Sequence, residues 1–73
     1  MNARQKLKKE AEAVFDTIER ELDLSIIRIE VMLETISETG QSVRHENNWL
    51  MNVKRARLFL TEHRENMIEG ATG

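Results

Sequence analysis

The side chains in this sequence that could perform chemistry are few, and their spacing does not suit the reactions they would serve. Histidine occurs only at His45 and His63. A carboxylate-bridged metal site in a helical bundle needs Glu three residues before His, so that both project from one face. Here Ser42 precedes His45 at that distance and Leu60 precedes His63. His63 therefore reads as a packing histidine in an apolar seam, and His45 as a solvated residue near a turn. Cysteine is absent, which removes thiolate ligands, thiol nucleophiles and disulfides together. Ser25 and Ser37 share no helical face with a histidine that could activate them, and Ser42, three residues before His45, lies at the turn. No catalytic group, metal-ligand set or cofactor site is expected, and the chain is not expected to be an enzyme.

Aromatic and basic residues raise a second possibility, contact with nucleic acid. Base stacking requires aromatics exposed among cations. Trp49, the only tryptophan, has Lys54, Arg55 and Arg57 nearby in sequence, but it opens an apolar seam, so core packing is the expectation for it. Arg4, Lys6, Lys8 and Lys9 form a basic start that runs directly into Glu10 and Glu12 rather than into an apolar segment, which is not the pattern of a secretory signal. Arg4, Lys6, Lys8, Lys9, Lys54, Arg55 and Arg57 are thus the residues an RNA- or DNA-binding role would use.

Charge is distributed unevenly around a net value of −2. Residues 1–9 carry +4, residues 10–38 carry −7 and residues 41–69 carry +1. Glu12, Asp16, Glu19, Asp23, Glu30 and Glu34 fall on one acidic stripe with repeated spacings of three and four. Like charges at that spacing repel on an isolated helix. The stripe would repel phosphates, and it suits a neighbouring basic helix or a basic partner.

The elements that must position these residues are helical. Proline is absent and the only glycines are Gly40, Gly70 and Gly73, so nothing interrupts a helix from about residue 3 to 39. Gly40 suits the left-handed position after a helix end. A second helix then runs from about 43 to 69, capped by Ser42, or alternatively it starts at Asn47 or Asn48 after a longer loop. On the first helix Leu7, Ala11, Val14, Phe15, Ile18, Leu22, Ile26, Ile29, Leu33 and Ile36 form an apolar stripe; on the second, Trp49, Val53, Ala56, Leu60, His63 and Met67 step by four and three. Two such helices joined by a short turn must lie antiparallel. At about 1.5 Å per residue they would be roughly 55 and 40 Å long, leaving residues before about Glu12 as an overhang without an intramolecular partner.

Apolar residues remain that one hairpin does not absorb. Leu24, Ile27 and Val31 lie almost opposite the stripe of the first helix, and Met51 and Leu58 lie off the seam of the second. An antiparallel register places all five at one height, as a candidate dimer or partner interface. A chain of 73 residues buries a small core and usually needs disulfides, metal or a second subunit; with no cysteine, the second subunit is the expected route. No apolar run exceeds three residues, so no membrane span is expected, and the lack of cysteine fits a reducing cytoplasm.

In outline the pattern resembles the helical-hairpin dimers typified by the Rop family of small plasmid RNA-binding regulators, and also small secretion chaperones and sporulation antikinases built as hairpins. The resemblance is one of architecture. It implies a four-helix bundle and transfers no functional residue. The expectation is an all-α antiparallel hairpin that pairs into a four-helix-bundle homodimer and acts as an adaptor or regulator by binding an unknown protein, with nucleic acid binding as the alternative.

Overall fold

The computed structural model describes residues 2–72, which form two helices, α1 (Ala3–Glu38) and α2 (Arg44–Thr72), and no strand. They lie side by side as a hairpin with extents of 58 × 16 × 12 Å. The first turn of α1 carries no acid to complement the helix dipole, so side chains close it instead. Asn2 Oδ1 accepts from the Gln5 N–H at 2.8 Å and Gln5 Oε1 accepts from the Asn2 N–H at 3.2 Å, a reciprocal capping box. At the other end the Thr39 and Gly40 N–H groups donate to the Ile36 and Ser37 carbonyls at 3.0 and 3.1 Å, and Gly40 takes φ +78° to turn the chain away.

α2 begins ahead of Asn47 and Asn48. The Asn47 N–H donates to the Val43 carbonyl at 2.8 Å, and Ser42 Oγ accepts from the Arg44 N–H at 3.5 Å. The helix also runs past residue 69 and through Gly70. Ile68, 1% exposed, anchors that last stretch against α1, while Thr72 Oγ1 donates back to the Ile68 carbonyl at 2.8 Å. Residues 2–10 stay exposed, as an overhang would be, with an ion pair of Lys8 Nζ to Glu69 Oε1 at 3.5 Å; Arg64 Nη2 donates to the Glu12 carbonyl at 3.4 Å, where the paired region begins.

The packed seam of α1 follows the expected stripe in its central part. Phe15, Leu22, Ile26, Leu33 and Ile36 are half-buried and Ile29 is buried. The seam of α2 is rotated from the expected one. Leu50, Val53, Arg57, Leu60, His63, Arg64, Met67 and Ile68 are buried or half-buried, as is Val43 just ahead of the helix, whereas Trp49 and Ala56 are exposed. Trp49, at 52% exposure, is therefore not a core residue of the hairpin. The rotation brings Arg57 and Arg64 to inward positions seven residues apart, where apolar periodicity alone would not place them.

Candidate functional site

Asp16 and Asp23 are seven residues apart on α1, as Arg57 and Arg64 are on α2, and the two pairs meet in antiparallel order. Arg57 Nε donates to Asp23 Oδ1 at 2.8 Å and its Nη2 lies 3.6 Å from Glu19 Oε2. Arg64 Nη1 lies 2.7 Å from Asp16 Oδ1 and 2.9 Å from Glu19 Oε1. Glu19 thus bridges both guanidinium groups. The hydrogen bond that Arg57 donates to Asp23 is the main cause that raises it above the ordinary arginine pKa, against partial desolvation; for Arg64 the bonds it donates to Glu19 and then Asp16 do the same. Both arginines remain cationic at any pH the fold experiences.

Half of the acidic stripe is therefore ion-paired within the chain, three carboxylates with two arginines. The basic element that meets Asp16, Glu19 and Asp23 is the second helix. Of the residues considered for nucleic acid, Arg57 is bonded to Asp23 and Glu19, and Lys8 to Glu69. Lys54 and Arg55 border a shallow apolar hollow on α2 that is completed by Asn47, Leu50, Met51 and Leu58.

The candidate interface residues are all exposed: Leu24 38%, Ile27 57%, Val31 58%, Met51 52% and Leu58 57%. They share a height but not a surface. Measured from each helix's packed seam, Leu24, Ile27 and Val31 stand on the outer side of α1, and Met51 and Leu58 on the outer side of α2, with the ion-paired face between. The single belt expected from register alone is two separate patches. Sequence periodicity assigned Leu7, Val14, Ile18 and Trp49 to the core, yet they are 53%, 57%, 40% and 52% exposed; Met32 at 36% and Phe59 at 54% are exposed as well.

His63 is half-buried, its ring 4.3 Å from that of Phe59 and tilted by 35°, as a packing histidine would be. Among the described residues no group of three or more His, Cys, Asp or Glu side chains is arranged to hold a metal ion. Among them, too, no helix is long and apolar enough to cross a membrane.

The class these features define is an antiparallel two-helix hairpin, held in register by interhelical arginine–carboxylate pairs and bearing large apolar side chains on its outside. No family model, no curated protein and no solved structure matches the chain.

Proposed function

We propose that this chain is a non-catalytic adaptor or regulatory module that forms a homodimeric four-helix bundle and acts by binding another protein. One observation carries the reading. Among the described residues only Ile29, Leu60 and Ile68 are buried hydrophobics, against eleven large hydrophobics that stand exposed. The hairpin exposes 5668 Å², whereas a folded monomer of 8.5 kDa is expected to expose about 4,650 Å². The excess of about 1,000 Å² per copy is comparable with the roughly 800 Å² that each partner contributes to a stable interface. The two patches on the outer sides of the helices, Leu24, Ile27 and Val31 and then Met51 and Leu58, are the surfaces left for a partner protein.

Light scattering at a few micromolar tests the dimer, with a mass twice 8.5 kDa expected and a monomer mass refuting it. A pull-down from host lysate, with and without nuclease and across a salt series, tests the choice of partner. Capture of the same protein regardless of nuclease and salt is expected. Recovery that disappears with nuclease and falls steeply with salt would favour the nucleic acid alternative.

A further inference from the structure

Apolar periodicity and interhelical packing point in different directions on this hairpin, and in both helices the difference leans the same way. Rows spaced by seven run nearly straight along coiled helices. On the side away from the ion pairs, α1 presents the row Ala11, Ile18, Ser25 and Met32, and α2 presents the row Trp49, Ala56, His63 and Gly70. Neither row contains a carboxylate, an ammonium or a guanidinium group. Ile18, Met32 and Trp49 are 40%, 36% and 52% exposed there.

We propose that this uncharged face takes a second copy of the chain, packed end over end, so that the two turns lie at opposite ends of the four-helix bundle. The inference rests on the homodimer reading above and specifies its face and orientation. A two-fold interface must be complementary to itself. The face with Asp16, Glu19, Asp23, Glu30 and Glu34 would set acid against acid, whereas the two uncharged rows, bordered on α1 by Glu21 and Arg28, meet their own copy without that repulsion. The surplus surface of about 1,000 Å² per copy matches what one such interface covers.

Side-chain size selects the orientation. The Arg57–Asp23 and Arg64–Asp16 pairs set the register, and by it Met32 falls level with Trp49, Ser25 with Ala56, Ile18 with His63, and Ala11 with Gly70. From the turn to the free end the face therefore alternates ridge, hollow, ridge, hollow. Turning the second copy end over end sets Met32 and Trp49 over the partner's hollow at its free end, and Ile18 and His63 over the hollow made by Ser25 and Ala56. Every layer then pairs large with small, the condition for close packing between facing helices. Pairing with both turns at one end would set the ridge of Met32 and Trp49 on the same ridge of the partner.

The chain has no cysteine, so Gln41→Cys places one spin label at the turn of each copy without a competing thiol. The expected distance between labels in the dimer is about 50 Å, from the length of α1 at about 1.5 Å per residue. A distance under about 25 Å would overturn the orientation. For the face, Ala56→Glu adds a charge at a position exposed in the single hairpin, and it should weaken the dimer at least about tenfold. The pair Ile27→Glu with Leu58→Lys should leave the dimer intact. A dimer that survives Ala56→Glu but dissociates with the Ile27 and Leu58 pair would overturn the face while leaving the homodimer reading in place. A monomer mass for the unmutated chain would remove both.

Discussion

Gly40 holds φ +78°, and a Cβ built there meets nothing within 4 Å. Substitution is therefore opposed by backbone strain alone. Gly40→Ala should cost about 1 kcal/mol in denaturant unfolding, the usual penalty for an L-residue in the left-handed region. The arginines pose a different question at the same scale. Arg57 and Arg64 have side chains 25% and 21% exposed, each within 4 Å of two carboxylates. Because their pKa values are raised on folding, the stability they contribute is fully present below the ordinary arginine value and is lost only at pH far above the accessible range. Arg64→Ala should lower the melting temperature at low salt, and molar salt should narrow the gap to the unmutated chain. A gap indifferent to salt would mean that the guanidinium stem contributes by packing alone.

The helices depend on each other more than on their own composition. α1 lacks an acid in its first turn and a base in its last, and α2 has no base in its last turn, so favourable dipole pairing is scarce. Interhelical burial must supply the difference, and it is concentrated in few residues: Ile29 is 3% exposed, Leu60 7% and Ile68 1%. Ile29→Asp or Leu60→Asp should abolish the helical circular dichroism signal, because a buried charge without a partner costs several kcal/mol against a stability of similar size. Ile68→Ala should destabilise by about 2–4 kcal/mol if the last turns of α2 are pinned as described. A loss below about 0.5 kcal/mol would show instead that this end frays freely.

For the whole molecule the dominant fact is unburied apolar surface. A chain with so little interior should gain stability from its own concentration, so the melting temperature should rise with protein concentration as dimer replaces monomer. A concentration-independent transition would argue for a self-sufficient hairpin. Chelator treatment should leave the transition unchanged, since among the described residues no group of three or more His, Cys, Asp or Glu is arranged to hold an ion.

The sequence by itself determined the two helices, the turn at Gly40 and the core side of α1, because unbroken helical periodicity and one isolated glycine leave the backbone little else to do. Charge imbalance between the halves also indicated that the helices would pair. The rotation of α2 was decided only by the tertiary structure. Apolar spacing there fits Trp49, Ala56 and His63 as well as it fits Leu50, Val53 and Leu60, and periodicity cannot separate two adjacent stripes that share members. The choice depends on long-range partners: Leu60 and Ile68 are buried, and Arg57 and Arg64 reach Asp23, Glu19 and Asp16 across the interface. The extension of α2 to Thr72 was hidden for the same reason. Gly70 signals a stop in local chemistry, and only the burial of Ile68 against α1 carries the helix through it.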